Sequence, residues 1–171
     1  MSTVTHKNQP AIHATNGHVY DGYKTPYTIS KLLWTADIEA WISRRLLSPC
    51  LHVCCGKSAI GDIRLDMFET DVSVCGDAAR LPFRQDSFDS VLIDPPYNGV
   101  FQWNHDMLSE LARVARHRIV FQHWFIPADR KQRYKKNHRF RLVEMAAWQP
   151  QTYFGRANII SVFDGLEMLI T

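Results

Sequence analysis

A chain of 171 residues supports one domain with a real core and leaves little room for a second. A composition of 46% hydrophobic and 12% aromatic residues excludes intrinsic disorder. No apolar run approaches the ~20 residues of a membrane span, and the polar amino terminus has no apolar stretch that would suggest secretion. The net charge of +3 is mild but unevenly spread.

Residues 1–22 are rich in Thr, His, Asn and Gly without periodicity. They read as a flexible N-terminal arm, with residues 23–171 forming the single domain. Helical apolar spacing then runs through Leu32, Leu33, Trp34, Ile38, Trp41, Ile42, Leu46 and Leu47, with Thr28 or Ser30 as cap and an end near Ser48 and Pro49. Residues 50–56 form a short apolar strand entering a glycine turn, where Gly56 lets the backbone approach a ligand closely. Three of the four cysteines, Cys50, Cys54 and Cys55, cluster here; Cys75 is the fourth. No partner set stands at zinc-binding spacing, so they read as buried reduced thiols, and a cytoplasmic location is expected.

A second strand over residues 63–66 ends in Asp66. A carboxylate at that place can accept from both hydroxyls of a ribose. Asp62 is the rival for that role. Gly56 and Asp66 stand ten residues apart, where a full strand–helix–strand unit needs about twenty, so the first crossover helix is expected to be truncated. A third strand over residues 72–75 leads into Asp77 and a loop containing Ala78, Leu81 and Phe83.

Ser90, Val91, Leu92 and Ile93 then run into Asp94, Pro95, Pro96 and Tyr97. The apolar run reads as a buried parallel strand, and the prolines stop its ladder. Asp94 therefore stands at the carboxyl end of a strand, where open α/β sheets bind ligands. Its carboxylate, the neighbouring carbonyls and an aromatic face suit a small planar group with two N–H donors, such as a nucleobase amino group.

This tetrad resembles the DPPY motif of S-adenosylmethionine-dependent amino-methyltransferases that modify nucleobases, and the resemblance runs over residues 24–125 through several motifs in order. It implies an α/β, Rossmann-like class I methyltransferase fold. The expected sheet has seven mostly parallel strands with an antiparallel last strand, and helices on both faces. The implied cofactor is S-adenosyl-L-methionine. Thr25, Pro26 and Tyr27 match the motif that closes over its methionine end. Cys54, Cys55, Gly56 and Ser58 match the loop around its amino-acid portion. Asp77 would bind the adenine amino group, Ala78 would use its backbone, and Leu81 and Phe83 would flank the ring. Asp94, Pro95, Pro96 and Tyr97 would be catalytic, with Asp94 also facing the cofactor.

Asn98, Phe101 and Trp103 follow on a loop whose aromatics can stack a displaced base or plug the core. Residues 106–116 have helical spacing, with Arg113, Arg116 and His117 gathered at the end. The strand over residues 118–127 carries His123 and Trp124 toward the rim that holds Asp94; His123 is read as shaping the pocket. Residues 130–141 include Arg130, Arg133, Lys135 and Lys136 and no acid, the footprint of a polyanion contact. Two late strands, residues 142–148 and 158–163, resemble the closing hairpin of the methyltransferase sheet.

The expected function is methylation of a nucleobase amino group, adenine N6 in DNA first. An RNA base methyltransferase, acting on adenine N6 or guanine N2, is the alternative enzyme. A non-catalytic nucleic-acid-binding module is the alternative outside enzymes. The expected partner is nucleic acid, DNA before RNA, with no membrane.

Overall fold

The computed structural model describes residues 12–13, 19–20, 34–69, 71–95, 105–123, 139–148 and 158–169. Two strands in the amino-terminal segment, β1 (Ile12–His13) and β2 (Val19–Tyr20), pair antiparallel. Everything else described belongs to one seven-stranded sheet and the elements packed on it. Its strands are β3 (Cys50–Val53), β4 (Ile63–Asp66), β5 (Val74–Cys75), β6 (Phe88–Ile93), β7 (Ala115–His123), β8 (Phe140–Trp148) and β9 (Asn158–Gly165). Their order is β5-β4-β3-β6-β7-β9-β8. Pairing is parallel from β5 through β7, while β9 runs antiparallel to both β7 and β8. This is the expected mostly parallel seven-stranded sheet with an antiparallel last strand.

Each face carries its own apolar cluster because side chains alternate along a strand. Leu51, Val53, Val91, Ile93, Ile119 and Phe121 point to one face and pack with Met107, Leu111 and Val114 of helix α2 (His105–Val114). Cys50, Leu92, Val120, Ile160 and Val162 point to the other and pack with Trp34 and Ile42 beside and within helix α1 (Ala36–Ser43). Fully buried Leu and Ile side chains of this kind contribute about 1.5–3 kcal/mol each.

Several boundaries differ from the sequence expectation. Helix α1 starts after Thr35 and ends at Ser43, well inside the expected 28–48 span; Asp37 and Glu39 in its first turn suit the positive end of the helix. Arg45 anchors its far end. Its guanidinium lies 3.5 Å from the Trp41 ring centroid and pairs with Glu144 of β8, and Arg118, held by Asp164 at 2.6 and 2.9 Å, donates to the Arg45 carbonyl at 3.0 Å. Helix α2 ends at Val114 and passes into β7 without a loop, so Arg116 and His117 are strand residues, not helix-end cations. β5 has two residues where four were expected. Among the described residues, no helix is long and apolar enough to cross a membrane.

The first crossover has no helix at all. Nine residues, 54–62, connect the parallel strands β3 and β4, where such connections usually need a dozen or more. The short path forces unusual backbone. Cys54 and Gly56 have φ of 55° and 50°, and Gly61 has φ 102°. A Cβ on Gly61 would lie 2.9 Å from the His52 Cβ and 3.3 Å from the His52 nitrogen. Gly61→Ala combines that overlap with a left-handed φ, so it should destabilise the protein by about 2 kcal/mol or more. Urea unfolding measures this; a change within about 0.5 kcal/mol, the usual size for a neutral surface substitution, would show that the crossover relaxes freely.

Candidate functional site

Three parallel strands end at one level. Val53 is opposite Leu65 on one side and Ile93 on the other, so the next residues, Cys54, Asp66 and Asp94, come side by side at the carboxyl edge. β5 ends one strand further out at Cys75, opposite Asp66, and Asp77 follows two residues later. The Cys54 thiol registers this convergence. Burial raises its pKa most, and the charges of Asp66, Asp94 and Asp77 raise it further. The thiol is therefore held protonated. Cys55, also buried, is pushed up to about 11, mainly by burial and then by Asp66. All four cysteines are free, and Cys75 is exposed against the expectation of burial.

Asp94 stands just past the end of β6, with its N–H directed to the Val53 carbonyl at 3.4 Å. Its side chain is partly buried, and no described residue donates a hydrogen bond to it. Desolvation alone raises its pKa to about 7. Pro95 beside it is buried. Pro96 and Tyr97, the rest of the tetrad, lie outside the described residues, as do Thr25, Pro26, Tyr27, Asn98, Phe101, Trp103, Trp124, Arg130, Arg133, Lys135 and Lys136.

Asp66 is differently furnished. One oxygen accepts the Gly56 N–H at 3.0 Å, and the other accepts those of Phe68 and Glu69 at 2.8 and 3.2 Å. A carboxylate has about four lone-pair sites, so Asp66 retains capacity for one hydroxyl, not the expected two. Its bond to Gly56 ties the glycine turn to the end of β4. Asp62 belongs elsewhere. It accepts from Ser48 Oγ at 2.8 Å and the Cys50 N–H at 2.7 Å, both at the amino ends of the strands, and these bonds hold its carboxyl below the usual range. The rival for the ribose thus lies on the wrong edge of the sheet.

Asp77 is exposed, and one of its oxygens accepts the Ala79 N–H at 2.9 Å in a local turn. Ala78 and Leu81 are buried in the core on the α2 face, and Phe83 packs on that cluster, edge to face with Phe88 at 4.9 Å. Leu81 and Phe83 thus hold the loop down instead of presenting open rings or methyls to a ligand. Ser58 is buried, its hydroxyl occupied by the Ile60 N–H at 3.2 Å. His123 has no accessible surface, and its Nε2 meets Ser161 Oγ at 2.7 Å. It braces β7 against β9 one residue past the level of Asp94, since Ile93 pairs with Phe121.

Two further residues near the rim escaped the sequence reading. Phe68, half exposed, sits two residues after Asp66, and its N–H is held by that carboxylate; an apolar residue so soon after a strand-ending acid was the available signal. Gln122, one residue before His123, accepts from Trp34 Nε1 on the α1 face, and Trp34 stacks on His52 at 5.7 Å. No pattern in sequence links positions 34 and 122. His52 directs Nδ1 to the Ile60 carbonyl at 3.0 Å, and burial lowers its pKa to about 4.

Asp66, Asp77 and Asp94 bring carboxylate oxygens together along the rim. Such an acceptor set fits a ligand rich in N–H, O–H and positive charge; S-adenosylmethionine, with a sulfonium, an ammonium, two ribose hydroxyls and an adenine amino group, is of that kind. Among the described residues, no group of three or more His, Cys, Asp or Glu could hold a metal ion.

No family model and no curated protein matches this sequence. Solved structures do match. A provisionally assigned RNA methyltransferase from Pyrococcus horikoshii aligns with a TM-score of 0.56 at 16% identity, over 85% of this chain and 92% of that one. An S-adenosylmethionine-dependent methyltransferase from Methanosarcina mazei gives 0.53 at 12%, over 74% and 97%. The 1,6-didemethyltoxoflavin-N1-methyltransferase of Burkholderia thailandensis, solved with its substrate and S-adenosylhomocysteine, gives 0.52 at 11%, over 68% and 70%. The chain therefore has the Rossmann-like class I methyltransferase fold.

Desolvation of Asp94 has a consequence for stability. Its folded pKa of about 7 lies above the unfolded value, about 3.9. Between these two values the folded state holds a proton that the unfolded state has released, so stability falls as pH rises through that window and levels off above it. Asp94→Asn lacks this dependence. Relative to wild type, it should gain about 2 kcal/mol of stability between pH 5 and pH 8, after allowance for partial exposure. Urea unfolding at both pH values measures this; an equal difference at the two would mean that Asp94 is solvated.

Proposed function

We propose that this protein is an S-adenosylmethionine-dependent methyltransferase acting on the exocyclic amino group of a nucleobase, with adenine N6 in DNA as the first choice. One observation carries the reading: a desolvated carboxylate with no described donor, Asp94, stands at the carboxyl end of a central strand beside Asp66. Pro95, Pro96 and Tyr97 follow it in sequence. The methyltransferase fold of the structural neighbours supports the cofactor.

When bound, the cofactor supplies an electrophilic methyl group on a sulfonium. The chain then has to orient an amino group in line with it. A nucleobase amine is a weak nucleophile because its lone pair is delocalised into the ring. Asp94 and the Pro95 carbonyl can accept its two N–H bonds, which favours a tetrahedral nitrogen and a localised lone pair. The carboxylate also stabilises the positive charge that develops on that nitrogen. Asp66 would hold a ribose hydroxyl, and Asp77 the adenine amino group of the cofactor. Cys54 is no nucleophile in this scheme, because burial and three nearby carboxylates disfavour its thiolate.

The RNA reading draws on a different observation, since the P. horikoshii neighbour is itself assigned, provisionally, to RNA. The basic residues between 130 and 141 serve either polyanion. A binding module of the same fold would have no use for a carboxylate kept desolvated at the rim.

Labelled methyl transfer to DNA and RNA oligonucleotides, followed by nucleoside analysis, separates these readings. Asp94→Ala should still bind S-adenosylhomocysteine in calorimetry while losing about 10²–10³-fold in methyl transfer. Wild-type protein that binds no cofactor at millimolar concentration would favour the binding module. Neutralising Lys135 and Lys136 together should weaken nucleic-acid binding and reduce the slope of log K against log salt by about 2. An unchanged slope would remove that segment from the interface.

A further inference from the structure

The connection between β5 and β6, residues 76–87, has no helix or strand of its own, yet it carries Asp77. Its backbone polar groups must find partners elsewhere. Two side chains of α2 supply them. Glu110 Oε2 accepts the Leu81 N–H at 2.8 Å. Arg113 donates to the Leu81 carbonyl at 3.0 Å and to the Phe83 carbonyl at 2.7 Å. The pair is locked to itself as well, with Arg113 Nε to Glu110 Oε1 at 2.6 Å and Arg113 Nη2 to Glu110 Oε2 at 2.7 Å. Asp86 N–H closes the far side of the loop on the Arg113 carbonyl at 2.9 Å. The planar fork of Arg113 thus spans two carbonyls and a carboxylate together, which a lysine cannot do.

We propose that Glu110 and Arg113 are positioning residues for the methyl donor: they fix the loop that presents Asp77 to its adenine ring, and so tie that subsite to the helix that follows the Asp94 segment. The inference rests on the methyltransferase reading above. It makes α2 the shared support of both halves of the site. In sequence, residues 94–95 are followed within ten positions by its first turn, and its last turns grip the loop after β5. Neither side chain touches cofactor or substrate. Their effect is to keep Asp77 and the Ala78 backbone at a set height above the end of β5. Arg113 and the Leu81 N–H hold the Glu110 carboxyl below its usual range, so the grip persists across the neutral pH range.

Calorimetry with S-adenosylhomocysteine and with adenosine, on wild type, Arg113→Lys and Glu110→Gln, tests this. Arg113→Lys keeps the charge and the stem but loses the fork. Its affinity for both probes should fall roughly tenfold, the size of one lost charge-assisted hydrogen bond. The falls should be equal, because the two probes share the adenine ring. In methyl transfer, KM for the methyl donor should rise by the same factor, with kcat and KM for nucleic acid within about twofold, the signature of lost uniform binding. Glu110→Gln keeps an acceptor for the Leu81 N–H and should lie between wild type and Arg113→Lys; it carries the comparison if the lysine variant fails to fold. Wild-type affinity in both variants overturns this inference alone. A loss of kcat with KM unchanged also overturns it, since that pattern belongs to a general structural role. No binding of either probe by wild type overturns the cofactor reading, and this inference with it.

Discussion

Register between parallel strands is the constraint on which the rest of this site depends. Parallel ladders admit no half-steps: with Val53 paired to both Leu65 and Ile93, whatever follows each strand must arrive at the same height. Two of the three arrivals are carboxylates, and a third acid enters from β5. Asp66 and Asp94 are partly buried there and give up some of their water, while Asp77 stays exposed. The chain compensates the first two unevenly. Asp66 is compensated by three backbone N–H groups, whereas Asp94 meets no described donor and is left desolvated. A carboxylate that gives up water without gaining a donor is held at a cost. An uncompensated acceptor set into a ligand-binding edge is more readily understood as awaiting a donor than as part of a stable core.

The second constraint is brevity. A nine-residue crossover cannot wind a helix and still return parallel, so the chain takes left-handed turns at Cys54 and Gly56 and a wide positive φ at Gly61. The face that such a helix would have covered is filled from elsewhere. Trp34 stacks on His52 and reaches Gln122, and the short helix α1 lies over Leu92, Val120 and Ile160. The loss of the helix also removes its amino-terminal dipole from beneath the glycine turn. What holds that turn instead is Asp66, through the Gly56 N–H. One residue thus closes the loop and lines the rim, and it has correspondingly less hydrogen-bonding capacity for a ligand.

Strand ends were the most legible part of the sequence, because an apolar run stopped by an acid or by prolines has few other meanings. β4 and the end of β6 fall where the residues 63–66 and 90–93 put them. The missing crossover helix was visible in the spacing of Gly56 and Asp66. Less was visible where the answer depends on partners far along the chain. The roles of Asp62 and Asp66 look alike in sequence, and only the direction of β4 sends one to the ligand edge and the other to Ser48 and Cys50. Helix α1 looked longer because Leu46 and Leu47 continue its period, yet both belong to the strand approach. There the Leu47 backbone exchanges hydrogen bonds with Ser90 Oγ. His123 does stand at the rim, but its full burial and its bond to Ser161 of an antiparallel neighbour were not readable from the sequence.

The same logic explains why α2 matters more than its sequence suggests. A helix with apolar positions at Met107, Leu111 and Val114 looks like an ordinary cover for one face of a sheet, and it does serve as that. Its polar side, however, is not simply solvated. Glu110 and Arg113 are only partly exposed, and their hydrogen bonds go to main-chain atoms about thirty residues earlier. A surface ion pair is worth little by itself. An ion pair whose members also satisfy three backbone groups of a loop is a different object, because breaking it leaves those groups without partners. Among the described connections between parallel strands, only the one from β6 to β7 carries a helix, so the loops at the carboxyl edge have few places to attach. α2 is the attachment for the one that carries Asp77, and the precision of the site is then set as much by this helix as by the strands beneath it.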